Sequence, residues 1–374
     1  MRAYLAPTES FVYNQVNSLR RYRPVVVAHH LRPRTEFPCR DVAVAEQCLP
    51  TSVARIERLA YRVARVALPS GQAALARYLR AQDVGLLHYH YLTDARFLSA
   101  IRRRTGVAAI VSGYGYDVTE FPGQWRRLGR RYLRPLFDEL DCFLAMTEDM
   151  RADMVALGCP EAKVHVHYHG SDTARFRCAD RVYDKDGPLT VLCCARLYPG
   201  KGQHLVLRAL HRIQRPGRDD FRVVIVGEGP ARRDLERLVA EYGWGERAVL
   251  TGHLPHAGEA LVEQFRRADL FVHPSVTING AKEGVPGTIV EAMAAGLPVV
   301  STRHGGIPFV IESGRHGLLV GERDVDALAA ALDALLADAT LRQRLGSAAA
   351  RYAARELDLG SCTARLERIY DRFV

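Results

Sequence analysis

Two carboxylates, Glu283 and Glu291, stand on either side of the break Val285-Pro286-Gly287-Thr288. Pro286 and Gly287 interrupt the chain, and the apolar spacing beyond them predicts a short helix over 288–295. Gly296 follows, where a helix end wants a residue tolerant of positive φ. The N–H groups of Gly287, Thr288 and Ile289 would then stand unpaired at the positive end of the helix dipole, a place suited to a phosphate or diphosphate. Carboxylates so near would repel phosphate, so they are read as acceptors for hydroxyl groups. A ligand that carries both a diphosphate and hydroxyls is a nucleotide sugar. Glu-x7-Glu alone is a frequent accident. Here it coincides with a Gly-Thr helix start, a buried-strand pattern at 297–301 and the turn Gly305-Gly306-Ile307-Pro308.

Two cations belong to the same chemistry. Arg196 and Lys201 leave the carboxyl end of the apolar stretch 189–195, the edge at which open α/β sheets bind ligands. Fixed there, they can neutralise a diphosphate. Gly227-Glu228-Gly229-Pro230 ends the next strand in a tight turn on the phosphate side; it is not a GxGxxG fingerprint, and no dinucleotide site is read. Histidines raise a metal question. His88 and His90 share one face of a strand over 84–90, and His165, His167 and His169 alternate in the same way. No further ligand follows either group at a usual spacing, so no metal is assigned.

Positioning these groups takes two rounds of alternating strand and helix. Strands are expected at 2–6, 24–29, 41–45, 84–90, 107–112, 141–146 and around 164–168. After a polar, turn-rich linker at 173–188, they recur at 189–195, 222–226, 248–251, 269–273, 297–301 and 316–320. The pattern predicts an α/β chain of two doubly wound domains facing across a cleft. Helices are marked by Phe11, Val12, Val16 and Leu19 behind the candidate N-cap Ser10, and by Ile56, Leu59, Val63 and Val66. A further helix, carrying Leu75, Tyr78 and Leu79, lies beyond the separator Pro69-Ser70-Gly71. Thr147 is a candidate N-cap for the next. Over 121–137, Trp125, Leu128, Tyr132 and Leu136 share a side, while Arg126, Arg127, Arg130, Arg131 and Arg134 cover the rest. A basic helix with an aromatic and apolar face suits an anionic membrane surface; a helix packed on a sheet with a solvated arginine face is the alternative.

Composition narrows the classes. The chain has 374 residues, 48% apolar and 25% charged, which suits two full cores. No apolar run is long enough to span a bilayer, and the first residues lack the apolar core of a signal peptide, so a cytoplasmic chain is expected. Eight cysteines are scattered without a CxxC pair, as in a reducing compartment. Net charge is +10, and it is uneven: residues 1–175 hold 25 Lys and Arg against 17 Asp and Glu, the remainder 27 against 25. The basic half implies an acidic partner: anionic lipid, a phosphorylated acceptor or nucleic acid.

The set of motifs resembles the retaining glycosyltransferases of family 4, which have the two-domain GT-B fold. The match rests on Arg196-x4-Lys201-Gly202, on Glu283-x7-Glu291 with its Gly-Thr helix start, and on the Gly-Gly-Ile-Pro turn. In the first half, Glu9-Ser10-Phe11-Val12, His88-Tyr89-His90, Gly115-Tyr116-Asp117 and Gly170-Ser171-Asp172 resemble the exopolysaccharide type. The resemblance implies a last helix, about 360–374, that returns to the N-terminal domain. The domains become 1–172 with that helix, which holds the acceptor, and 173–359, which holds the nucleotide sugar. It implies that the backbone at Leu254 pairs with the nucleotide base, that Gly227 lies against the nucleotide, and that Glu291 takes the ribose. Glu283 would orient the donor sugar, and Arg196, Lys201 and the amides at 287–289 would hold the leaving diphosphate, without metal or cofactor. His90 would lie at the cleft. The family carries a histidine where this chain has Tyr114, a poor base at neutral pH, so His90 fills part of that role or none is needed.

The activity implied by this resemblance is a retaining transfer of a sugar from a UDP- or GDP-sugar to an acceptor. A lipid-linked oligosaccharide of a bacterial surface polysaccharide is expected, reached from the inner membrane face, with no nucleic acid. A small soluble acceptor, or a non-catalytic nucleotide-sugar-binding protein, are the alternatives.

Overall fold

The apolar runs form parallel strands, the pairing that near-continuous apolar stretches favour. The computed structural model describes residues 10–29, 42–64, 66–214 and 220–374. The strand expected at 2–6 lies outside the described residues, as do Glu9 and the side chains of Trp125, Arg126 and Arg127. The chain folds as two units, Met1–Gly170 with Cys362–Val374, and Ser171–Ser361.

In the first unit β1 (Val26–Ala28) pairs in parallel with β2 (Val42–Val44). A second parallel sheet runs β3 (Leu86–His90), β4 (Ala108–Ser112), β5 (Cys142–Ala145) and β6 (Val164–Val166), in that order. The final helix, Leu359–Tyr370, completes this core: Leu366, Ile369 and Tyr370 pack with Ile110, Cys142 and Leu144, and Phe373 borders them. Glu367 fixes it further by accepting the N–H groups of Arg20 and Arg21 at 2.7 and 2.8 Å. Thr147 caps the helix Glu148–Ala156 as expected, its hydroxyl accepting the N–H of Met150.

Two helices turn differently from their apolar spacing. Pro69 does not separate the helices Thr51–Ala64 and Pro69–Ala81 but opens the second, where its missing N–H is no loss. On the first, Ile56, Leu59 and Val63 are exposed, while Glu57 and Tyr61 are buried. A buried carboxylate is tolerable when its oxygens are satisfied; Glu57 meets His29 Nε2 at 2.8 Å, the N–H of Leu68 at 2.8 Å and the Ser70 hydroxyl at 3.0 Å. On the helix Gln124–Glu139 the packed side is Gly129, Leu133, Leu136 and Phe137, with Leu128 and Tyr132 facing outward among arginines. Of the expected stripe, Leu136 lies on the packed face, while Leu128 and Tyr132 do not. Gly129 explains the turn: a Cβ there would stand 2.0 Å from the carbonyl oxygen of Phe121.

The second unit is one parallel sheet of six strands: β7 (Leu189–Cys194), β8 (Phe221–Val226), β9 (Ala248–Gly252), β10 (Leu270–His273), β11 (Val299–Thr302) and β12 (Leu318–Val320). Their order is β12-β11-β10-β7-β8-β9. The chain starts in the middle, winds one way through β9, then returns to β10 and winds the other way. The carboxyl ends of β7 and β10 thus flank the switch point, where the crevice of a doubly wound sheet opens. Arg181 ties the layers together, donating to the carbonyls of Ala295, Ala268 and Phe265 at 2.5, 2.5 and 2.8 Å, which cap two helix ends.

Candidate functional site

The residues singled out at 196, 201 and 283 come from both sides of that switch point. After β7 the chain makes a single turn of helix, Pro199–Lys201, before the helix Gln203–Ile213. Gly202 joins them with φ +71°, and a Cβ there would lie 2.0 Å from the carbonyl oxygen of Pro274, just past β10. Only glycine lets these two strand exits approach so closely. The approach brings Lys201 Nζ within 2.6 Å of Glu283 Oε1. Ser275, on the β10 side, donates its hydroxyl to the same oxygen at 3.0 Å. His273 Nε2 stands 3.6 Å from the other oxygen. Burial alone would raise the Glu283 carboxyl, but the charge of Lys201 and the neighbouring His273 imidazole outweigh it and hold its pKa well below the ordinary range. Burial lowers the pKa of His273, so that imidazole is neutral near pH 7.

Arg196 sits on the same edge. Its side chain is exposed, lies over the Tyr198 ring at 5.6 Å and pairs with no carboxylate among the described residues. Its guanidinium is therefore available to a ligand, whereas Lys201 is already engaged.

The helix over Gly287–Ala294 begins one residue earlier than expected, with Pro286 as its N-cap. The N–H groups of Gly287 and Thr288 bond to nothing among the described residues. Ile289 differs: its N–H donates to the carbonyl of Pro286 at 3.1 Å, so the expected set of three free amides is two. The first turn tightens into an i→i+3 bond, as helix ends often do. Glu291, in the next turn, is buried and curls back, its Oε1 3.9 Å from where a Cβ on Gly287 would stand. That oxygen meets His256 Nε2 at 2.8 Å, while Oε2 is buried without a partner. A buried carboxylate oxygen without a partner is an acceptor in waiting. His256 is held in turn by Arg175, which donates to the carbonyls of His256 and Gly258 at 2.6 and 2.9 Å.

Gly227 and Leu254 complete the predicted set. Gly227 has φ +142°, its N–H donates to Gly252 at 2.9 Å, and a Cβ would lie 2.0 Å from the Ala195 carbonyl. Its place is close packing of the β7 and β8 exits, and its amide is not free for a ligand. Leu254 lies in the irregular segment after β9, half-buried, with no backbone hydrogen bond among the described residues.

His90 belongs to the first unit. Its Nδ1 lies 2.9 Å from the Tyr114 hydroxyl and its ring stacks on His88 at 4.6 Å. Burial, and then the neighbouring His88, put its pKa well below the usual histidine range, and burial raises that of Tyr114. Asp117 shapes the loop by accepting the N–H groups of Leu92 and Tyr114 at 2.5 and 2.7 Å. Among the described residues no group of three or more His, Cys, Asp or Glu is arranged for a metal ion. His167 and His169 are buried near the same cluster, His169 bonded to the Gly170 carbonyl at 2.8 Å and stacked on Phe11. The site residues missed from spacing are Ser275, His273 and His256; the signal available for the first two was their position at and just past the end of the apolar stretch 269–273.

Two family models match the chain: glycosyltransferase family 4 over residues 8–175 and glycosyl transferases group 1 over residues 179–352. A GDP-mannose-dependent α-(1-6)-phosphatidylinositol monomannoside mannosyltransferase of Mycolicibacterium smegmatis is 31% identical over 315 residues, covering 79% of this chain and 80% of that protein. A protein named for colanic acid biosynthesis glycosyltransferase in Salmonella typhimurium is 38% identical over 200 residues, 53% of this chain. The match spans 48% of that relative's length. In structure, Anabaena HepE in complex with UDP superposes with a TM-score of 0.78 over 100% of both chains at 16% identity, a likeness of fold.

Proposed function

Because the chain belongs to glycosyltransferase family 4 and has the two-domain GT-B fold, we propose that it moves a sugar from a nucleoside diphosphate sugar to an acceptor with retention of anomeric configuration. One observation carries the reading: Lys201 paired with Glu283 at the switch point of the second sheet. In this reading Arg196, Lys201 and the free amides of Gly287 and Thr288 take the diphosphate. The bond from the anomeric carbon to the diphosphate breaks as charge grows on the leaving oxygens, and preorganised cations and amides stabilise that charge better than water does. No metal is assigned a part. Glu283, kept ionised by its neighbours, accepts hydroxyls of the donor sugar, and the unpartnered Oε2 of Glu291 accepts those of the ribose. The acceptor hydroxyl attacks the face the diphosphate leaves, and its proton passes to an oxygen of the departing diphosphate. His90, bonded through Nδ1 to the Tyr114 hydroxyl, is assigned to the unit that takes the acceptor. The solved HepE complexes hold UDP and UDP-glucose, and the mycobacterial relative is named for GDP-mannose, so both bases are tested.

The acceptor proposed is a lipid-linked saccharide in surface polysaccharide synthesis, at an anionic cytoplasmic membrane face. The relatives named for colanic acid and amylovoran biosynthesis support it. So do the outward Leu128 and Tyr132 among Arg130, Arg131 and Arg134, a face that suits anionic headgroups.

The experiment is a thermal-shift panel of UDP- and GDP-sugars followed by a transfer assay with the donor that shifts most. A bound donor at a hundredfold its Kd stabilises by about 2.7 kcal/mol. Glu283→Gln is expected to keep donor binding and lose transfer by about a hundredfold or more. Full transfer by Glu283→Gln would overturn the assignment of that residue, and binding without transfer by the parent chain would leave the non-catalytic binder as the reading. Flotation with anionic against neutral liposomes, comparing the parent with Leu128→Ser/Tyr132→Ser, tests the membrane face. Equal recovery on both lipids rejects it.

A further inference from the structure

We infer that His304 and Glu322 are positioning residues for Glu283, through a bonded chain that fixes one histidine tautomer. The inference rests on the role given to Glu283 above. Glu283 lies in the stretch between β10 and the helix Gly287–Ala294, where no strand or helix holds the backbone. A carboxylate on a loose segment cannot orient a sugar, so something must grip its main chain.

The grip comes from the turn after β11. The N–H of Glu283 donates to His304 Nε2 at 3.1 Å. Its carbonyl accepts the N–H of Gly306 at 3.0 Å. Between them Gly305 has φ +47°, and a Cβ there would come within 2.2 Å of the Glu283 carbonyl oxygen. The side chain is then steered by Lys201 and Ser275 from a backbone already fixed.

Accepting an N–H at Nε2 obliges that nitrogen to carry a lone pair, which puts the imidazole proton on Nδ1. Nδ1 faces Glu322 Oε1 at 2.8 Å. Glu322 is itself set by Thr277, whose N–H donates to Oε2 at 2.6 Å and whose hydroxyl donates to Oε1 at 2.9 Å. Thr277, His304 and Glu322 come after β10, β11 and β12, three neighbours in the sheet. So one row of strand ends supplies a relay running Thr277 to Glu322 to His304 to Glu283. His304 is 1% exposed, and ordinary solvent contact does not account for its orientation. In water a neutral imidazole favours the proton on Nε2; here that proton would point at the N–H of Glu283, and the bond would be lost.

The test joins nitrogen-15 NMR of the histidine rings with kinetics. In the parent protein His304 is expected as the Nδ1–H tautomer near pH 7, and in Glu322→Ala as mainly Nε2–H. His304→Ala is expected to lower kcat about 10- to 100-fold, as a small misplacement of a reacting group does. KM for the nucleotide sugar should stay within about twofold, since Arg196 and Glu291 are untouched. His304→Gln, whose amide oxygen reaches the place of Nε2, should recover most of the loss. An Nε2–H tautomer in the parent overturns the inference even where a variant fails to fold. So does His304→Ala with unchanged kcat beside an inactive Glu283→Gln. An active Glu283→Gln defeats the reading of that carboxylate instead, and the tautomer then decides the relay by itself.

Discussion

Lys201 and Glu283 are half-buried and satisfy each other, so each loses most of its partner if the other is removed. The carboxyl is held below its ordinary range by the charge of Lys201 and the His273 imidazole against the pull of burial. The unfolded chain therefore binds the proton more readily. The stabilisation is whole above the ordinary glutamate value near pH 4.3 and fades as the pH falls beneath it. Lys201→Met is expected to destabilise the second unit by about 2 kcal/mol at pH 7. Thermal unfolding from pH 7 down to pH 3.5 should show that gap narrowing; a gap independent of pH would reject the pairing. Both residues were legible because each stands at an obvious break, after an apolar stretch or before Pro-Gly. Their 2.6 Å contact was not. It depends on β7 and β10 being neighbours in the sheet, and spacing along a chain carries no such information. The same holds for His256 and His304, whose partners lie 35 and 21 residues away.

Elements show the same division. Fully buried strands announce themselves as apolar runs, and all the described ones lie where such runs predict. Helix faces are harder. Glu57 turns inward because three hydrogen-bonding groups wait for it, and Gly129 turns inward because its backbone must meet Phe121. Neither cause leaves a trace in apolar periodicity. Likewise, among the described residues, the free amides at the start of the helix Gly287–Ala294 number two because the first turn is tight. The joint between β7 and β10 offers a direct test. Gly202→Ala forces a Cβ against the Pro274 carbonyl at positive φ, a strain of about 1–3 kcal/mol. That corresponds to a fall in Tm of roughly 2–4 °C per kcal/mol for a unit of this size. It should also slow transfer, because it pushes Lys201 away from Glu283. Unchanged Tm and turnover would show that the two strand exits do not need glycine.

At the scale of the whole molecule, one cluster of histidines, His88, His90, His167 and His169, lies in the first unit. Burial first, then neighbouring imidazoles for His167, lowers His88 and His169 to about 4 and His167 to about 3, with His90 also well below 6.5. An unfolded chain takes up protons at these residues below pH 6.5 while the folded one does not, so the first unit loses stability on acidification. Each such histidine contributes up to about 1.4 kcal/mol per pH unit in that window. Hydrogen exchange across residues 86–112 is expected to show protection falling between pH 6.5 and 5; constant protection over that range would contradict the burial. The division into two doubly wound units was legible from two rounds of strand and helix.

The segment Cys362–Val374 belongs to the first unit, and that arrangement sets the order of events on the ribosome. Leu366, Ile369 and Tyr370 are synthesised after all of the second unit, yet they close the core around Ile110 and Leu144. Residues 171–361 have every strand of their sheet in hand before those three side chains emerge. The earlier-made half must wait, with an apolar patch open, for the later-made half to finish. Nascent chains stalled short of residue 362 should therefore be nicked by protease within residues 1–170 and resist it within the second sheet.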